Sequence, residues 1–383
     1  MIHLQIIPQE EDAHLAAVVL PAAAVVVVHH AVDVVGIDMF CVPTSRLTLQ
    51  WHITAKCNQR CKHCYQECYA GKELSFNEIL NILEQYKDLL RLYSKSKNKD
   101  FIRGHINITG GEPFTRKDFL QILNVFSKNK KYFSFGILTN GSYITDDIAK
   151  KLKSLNVAHT QVSIDGNRET HDALRGKGNF DRTWNAVKIL RKHNIRTLVS
   201  FTAHKGNYKE FPVVARYARK YKASKLWTDR LVPIGNGQDM LDMLFTSKEA
   251  LEYFSIIVNE KKKTLRNKLN GLEIYSNRAL QFLKSGEMPY GCSAGDSLIT
   301  ILENGDVLPC RRMPIPCGNA LKTSLKDIYF NNNVFKDLRN KNIPDKCFKC
   351  AYSEKCRGGL KCLSYALYKD YKQADNCCPI IYK

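Results

Sequence analysis

Acidic side chains are in short supply. The 383-residue chain sets 37 Asp and Glu against 58 Lys and Arg, a formal net charge of +21. That balance excludes a polyacidic protein and favours anionic partners such as nucleic acid or an acidic peptide. A Lys-rich composition explains it equally well, since the basic residues are spread along the chain. The densest runs, Lys95–Lys99 and Lys261–Lys263, fall at the ends of predicted helices, where cations are favoured. No RNA-recognition signature accompanies them, so nucleic acid is not the expected partner. Long apolar runs are missing too. Ala16–Val28 is a run of about 13 residues, interrupted by Pro21, against the ~20 that cross a bilayer. Glu10, Glu11 and Asp12 precede it in place of the basic start of a secretory signal. Membrane insertion and secretion are therefore not expected, and a cytoplasmic location is. Met39 offers an alternative start, and residues 1–44 form an apolar appendage of unassigned role.

Cysteine, by contrast, is abundant. There are 14, nearly all in two clusters with C-x2-C spacings. In an enzyme-sized chain without a secretory signal, that pattern argues for metal rather than disulfides. The hydrophobic fraction of 44% and charged fraction of 25% are those of a globular protein, and the length accommodates one large domain and a smaller one.

From Arg46 a βα rhythm sets in. Arg46–Thr54 alternates like a strand. Ser75–Glu78 is a capping box, followed by apolar residues at helical spacing. Strands are predicted over 105–109, 133–138, 160–164, 196–202 and 225–231, and helices over 119–125, 145–155, 180–193 and 208–221. Six such units imply an α/β protein with a parallel sheet, either doubly wound or a partial barrel. Turn residues and polar motifs recur at the carboxyl ends of the strands, where such sheets bind ligands. The rhythm stops after Gly235. Ser247–Lys262 reads as one long helix, and Glu303–Asp306 as a hairpin turn. The boundaries drawn are 45–235 for the core, 236–290 for a helical bridge and 291–383 for a Cys-rich module.

Cys57-x3-Cys61-x2-Cys64 follows the first strand directly. Three thiolates on one loop suit one face of an iron–sulfur cube and leave the fourth iron open to a small molecule. A structural zinc needs a fourth ligand, which Cys68 offers. With this loop, Thr109-Gly110-Gly111-Glu112-Pro113, Ser163-Ile164-Asp165-Gly166, and His171-Asp172 with Arg175-Gly176 and Phe180-Asp181, the stretch 46–235 resembles the radical S-adenosylmethionine (SAM) superfamily. The resemblance implies a partial (β/α)6 TIM-like barrel and a [4Fe–4S] cluster on Cys57, Cys61 and Cys64. It implies SAM held by Gly110, Gly111 and Glu112 at its amino end and by Ser163 and Asp165 at its ribose. It further implies reductive cleavage of SAM to methionine and a 5′-deoxyadenosyl radical, which abstracts hydrogen from the substrate, with an electron donor such as flavodoxin or ferredoxin. Arg175 is expected either to pair with a ligand carboxylate or to form an internal salt bridge.

The C-terminal spacing, Cys292-x12-Gly305-x4-Cys310, then Cys347-x2-Cys350-x5-Cys356-x5-Cys362, then Cys377-Cys378, resembles the SPASM domain, except that its x3 gap is x5 here. That resemblance implies two auxiliary [4Fe–4S] clusters. One would lie on Cys292, Cys310 and Cys362, with Cys317 as fourth ligand or an iron left open. The other would lie on Cys347, Cys350, Cys356 and Cys378, with Cys377 as rival to Cys378. Two zinc sites are the alternative. SPASM enzymes act mostly on peptides or proteins, and Leu47–Thr54 with Cys64-Tyr65-Gln66 resembles the peptide-maturase branch. The leading expectation is a thioether or other crosslink in a ribosomally made peptide. A formylglycine-forming sulfatase maturase, small-molecule cofactor biosynthesis, and a non-catalytic iron–sulfur or zinc protein binding nucleic acid are the alternatives. Asp229 and Asp296 are candidate general bases.

Overall fold

The computed structural model describes residues 46–266 and 271–382; the apolar appendage at 1–44 lies outside them. Strand β1 (Thr48–His52) pairs in parallel with β2 (Gly104–Thr109), and the order continues through β3 (Phe133–Thr139), β4 (His159–Ser163), β5 (Thr197–Ala203) and β6 (Lys225–Arg230). Helices connect them: α1 (Phe76–Ser96), α2 (Phe119–Lys128), α3 (Asp146–Ser154), α4 (Arg168–Arg175), α5 (Asn179–Lys192) and α6 (Phe211–Lys220). This is the partial TIM-like barrel. The Ser75 capping box is present, Ser75 and Glu78 each satisfying the other's backbone N–H.

Two further strands extend the parallel sheet. Strand β7 (Glu273–Tyr275) adds beyond β6, after α7 (Ser247–Arg266). Strand β8 (Leu298–Ile301) adds beside β1 with Thr48 opposite Leu298, and β9 (Asp306–Leu308) and β10 (Gly318–Asn319) continue antiparallel. The start of the Cys-rich module is thus hydrogen-bonded into the same sheet as the core. The 303–306 turn joins β8 to β9 as expected, with Gly305 at φ +90°.

Parallel strands covered on both faces read as continuous apolar runs; these alternate. Leu49, Trp51, Ile106, Ile108, Phe135, Ile137, Val162, Val199, Phe201 and Leu226 join the buried core. The residues facing the other way are mostly polar, Gln50, His52, His105, Asn107, His159, Gln161, Ser163, Ser200 and Asp229, with Leu138, Leu198 and Trp227 among them. They contact one another across strands, as in Trp227 Nε1 donating to Gln161 Oε1 at 2.8 Å and the His105 and His159 rings stacking at 5.2 Å. One face of the sheet is core, and the other is built for polar contents.

Candidate cluster and cofactor site

The Cys57–Cys64 loop leaves β1 and is braced on three sides. From β2, Gly111 N donates to Thr54 O and Glu112 N to Lys56 O, both at 2.8 Å. A Cβ on Gly110 would lie 2.3 Å from Thr54 O, and one on Gly111 2.2 Å from Lys56 O. Only glycine permits this close approach of the two strand exits. From the α4–α5 region, Lys62 N donates to Leu174 O at 3.0 Å and Gln59 Nε2 to Asn179 Oδ1 at 3.0 Å. From the segment after β6, Gly237 N donates to Cys64 O at 3.1 Å.

A polar network backs the sulfurs. Arg175, at the end of α4, reaches Cys61 Sγ at 3.7 Å through Nη1, and its Nε is paired with Asp165 at 2.5 Å. His63 lies 3.2 Å from the same Asp165 oxygen. Thr202 N donates to the other Asp165 oxygen at 2.8 Å. Burial would raise the Asp165 pKa, but Arg175 and His63 hold it well below the usual carboxylate range. Its side chain is fully buried. Asp165, expected at the ribose, has its carboxylate paired inside the protein, and it is the carboxylate that Arg175 pairs with. Ser163 is half-buried, its hydroxyl 3.2 Å from that of Ser200. Glu112 is buried and accepts from Thr139 Oγ1 (2.8 and 2.9 Å), Asn140 N (2.8 Å) and Phe114 N (3.3 Å). Burial lifts its pKa to about 7 against those hydrogen bonds. It ties the β2 exit to the β3 exit. Asn140 also approaches Cys57 Sγ, at 3.9 Å.

Burial pushes the Cys57 thiol up to about 11 and raises Cys61 against the pull of Arg175. Three thiols on one loop, Cys61 buried and Cys57 and Cys64 half-buried, one facing a guanidinium, fit the iron–sulfur cube expected there.

The C-terminal cysteines divide into two groups. Cys347, Cys350, Cys356 and Cys378 line one cavity with Leu280, Phe282, Leu283, Tyr352 and Ile381. Burial pushes Cys347 to about 11 and Cys356 to about 12. Cys377 turns away, donating to Phe245 O at 3.1 Å beside Arg230. Cys292, Cys310 and Cys362 form the second group: burial first, then the charge of neighbouring cysteines, raises Cys310 and Cys362, with Arg312 opposing. Cys317 is outside that trio: its thiol donates to Ile315 O at 3.3 Å, and burial alone lifts it to about 12. Among the described residues no three His, Cys, Asp or Glu side chains are gathered to hold a single metal ion.

Both candidate bases are ion-paired. Asp229 accepts from Arg278 and Arg312, each at 2.8 Å. Burial would raise its pKa, but these arginines hold it far below the ordinary value. Asp296 pairs with Lys97 at 3.5 Å, next to where Thr48 N binds Ser297 O. That places it at the amino end of β1, away from the cysteine loop. The residues the sequence reading missed are Asn140, Gln59, Arg278, Arg311 and Arg312. Asn140 alone carried a signal, in the turn Thr139-Asn140-Gly141 at a strand exit.

The comparisons agree with this geometry. The family profile of the radical SAM superfamily matches residues 51–218, and that of an iron–sulfur cluster-binding domain, SPASM, matches 292–351. An AdoMet-dependent heme synthase of Methanosarcina barkeri is 27% identical over 86% of this chain and 95% of its own length. The mycofactocin maturase MftC of Mycolicibacterium smegmatis is 28% identical over 82% of this chain and 77% of its own. Among solved structures, Streptococcus suis SuiB bound to S-adenosylmethionine superposes with TM-score 0.70 at 18% identity, covering 88% of this chain and 78% of that one. The enzyme anSMEcpe with AdoMet and the Cp18Cys peptide gives 0.69 at 18%, covering 87% and 94%. A polar barrel face, a braced three-cysteine loop and a second cysteine-rich module joined to the same sheet thus have one common source: the chain is a radical SAM/SPASM family member whose cofactors are [4Fe–4S] clusters and S-adenosylmethionine.

Proposed function

We propose that the chain reductively cleaves SAM and modifies a peptide, installing a crosslink, thioether first, in a ribosomally made precursor. Cys57, Cys61 and Cys64 hold the SAM-binding cluster. Cys347, Cys350, Cys356 and Cys378 hold one auxiliary cluster; Cys292, Cys310 and Cys362 hold the other, with one iron left open. When bound and reduced, the first cluster supplies the electron that splits SAM into methionine and a 5′-deoxyadenosyl radical. The chain's own residues do the rest. Gly110 and Gly111 let backbone approach the cofactor. Glu112 holds the β2 and β3 exits together at the end of the molecule where the SAM amine is expected. Ser163 stands at the exit of β4 for the ribose, and the polar barrel face receives the substrate. The observation that carries this reading is the three-thiol loop clasped by Gly110–Glu112 at the mouth of that face.

The peptide assignment draws on the mycofactocin maturase and on the net charge of +21. Incubating the reduced, reconstituted enzyme and SAM with the short Cys-rich peptide encoded nearest its gene tests it. Loss of two hydrogens from that peptide supports the assignment, and an unchanged mass counts against it. A second reading, modification of an iron porphyrin, is favoured by the heme synthase of Methanosarcina barkeri, which matches over 95% of its own length. Turnover of iron coproporphyrin III in the same assay would replace the first reading with this one.

A further inference from the structure

Between the SAM loop and the Cys292–Cys310–Cys362 group stands a cluster of arginines that none of the expected chemistry uses. Arg278 follows β7, and Arg311 and Arg312 follow Cys310 directly. Asp229 is the carboxylate they share, paired with Arg278 and Arg312 at 2.8 Å each. Arg278 also donates to Tyr290 Oη at 3.1 Å. Three guanidiniums against one carboxylate leave positive charge over.

The surplus is not evenly placed. Arg312 acts on Cys310 and Cys362, and Arg278 acts on Cys310, so both are matched to the auxiliary cysteines. Arg311, by contrast, is not paired with Asp229 among the described residues. It lies over the Tyr65 ring at 5.3 Å, and its field is felt at His52. Tyr65 directly follows Cys64 and packs with Cys292, Cys310 and Tyr290 in one apolar cluster. Arg311 therefore faces the SAM loop, in the gap between the two cysteine regions. Its buried Nε has no hydrogen-bond partner among the described residues, and neither does the buried Nε2 of His52. Arg311 as a whole is half-buried, but a buried N–H left without a hydrogen-bond partner is costly. Its planar fork is matched to a carboxylate; Tyr65 lies under Arg311, while Trp227 and Tyr290 lie under the neighbouring Arg278.

We propose that Arg311, flanked by Arg278 and Arg312, is the docking site for a carboxylate of the substrate, fixing it between the SAM loop and the auxiliary cysteines. This rests on the radical SAM reading and deepens it: the substrate is anionic at the point where it enters the gap.

The test uses the anaerobically reconstituted full chain, with glutarate as carboxylate probe and dimethyl glutarate as its neutral counterpart, followed by saturation-transfer NMR. Saturable binding of glutarate, none of the diester, and weakening of about tenfold in Arg311→Gln with a smaller loss in Arg311→Lys are expected. Equal binding of acid and ester, no glutarate binding to the wild type, or an Arg311→Gln variant that binds as well as wild type overturns the proposal. Displacement of glutarate by SAM overturns it as well, since Arg311 would then hold the cofactor's own carboxylate. Displacement by hexaglutamate supports a carboxylate carried on a peptide, and displacement by iron coproporphyrin III supports one carried on a porphyrin. 5′-Deoxyadenosine release by the same preparation shows separately whether the radical SAM reading itself stands.

Discussion

Around Cys57, Cys61 and Cys64 the chain is polar and stiffened by backbone. Gly110 and Gly111 are pressed against Thr54 and Lys56, and Arg175 is held by Asp165 within reach of a sulfur. Around Cys347, Cys350, Cys356 and Cys378 the walls are mostly apolar, formed by Leu280, Phe282, Leu283 and Ile381. Hydrogen bonds to sulfur and exposure tune the potential of an iron–sulfur centre. A polar, donor-rich pocket suits a site that must also take a charged cofactor. An apolar one suits a centre that only stores or passes an electron. The third group, Cys292, Cys310 and Cys362, lies between these extremes, buried but faced by arginine.

The largest expected effect comes from emptying one region at a time. The reconstituted wild type should hold about 12 iron atoms, four per cube. Replacing Cys57, Cys61 and Cys64 by Ala should lower this to about 8, as should replacing Cys347, Cys350 and Cys356. Iron analysis with Mössbauer spectra checks both. Cys378→Ala should lose iron while Cys377→Ser keeps it, because Cys377 points to Phe245 O and not into the cavity.

Next come the two carboxylates that the sequence suggested as bases. Asp229→Asn leaves Arg278 and Arg312 facing no charge and should cost about 3–5 kcal/mol in denaturant unfolding. Asp296→Asn removes one partly exposed pair and should cost under about 1 kcal/mol. Since the Asp229 pKa is depressed, its contribution is full above the ordinary carboxylate value and is withdrawn as pH falls through the folded-state value. The gap between the two variants should therefore narrow in acid.

A smaller effect separates the cysteine regions electronically. Arg175→Lys weakens the donor to Cys61 and should lower the midpoint of the first cluster by on the order of 50 mV, with the auxiliary midpoints unmoved. Redox titration followed by EPR reads this. An equal shift at all the centres would mean Arg175 acts only through the fold. The smallest effect is on substrate capture: if the net charge of +21 steers a precursor, its binding should weaken with added salt.

Much of this arrangement is legible from one sequence. The strands β1 to β6 alternate with period two and lie within a residue or two of expectation, and the Ser75–Glu78 box marks the start of α1. The cysteine spacings separate the regions because loop ligands are local in sequence. Short polar α4 escaped because Arg168–Arg175 holds only two apolar residues, Ala173 and Leu174, too few to show a face. The pairing of β8 with β1 escaped because hydrogen bonds across some 250 residues leave no local trace. Asp165 and Asp229 look like free acids in the sequence. Only folding brings Arg175 to one and Arg278 and Arg312 to the other. The trace of Arg311 lies in a buried Nε without a hydrogen-bond partner, which spacing does not reveal.

The central claim is that the braced loop makes this chain a SAM-cleaving enzyme. The most direct test is 5′-deoxyadenosine release from SAM by anaerobically reconstituted protein and a strong reductant, set against the Cys57/Cys61/Cys64→Ala variant. Release by the wild type alone is the predicted result. A filled and reducible first cluster that yields no 5′-deoxyadenosine would contradict the account.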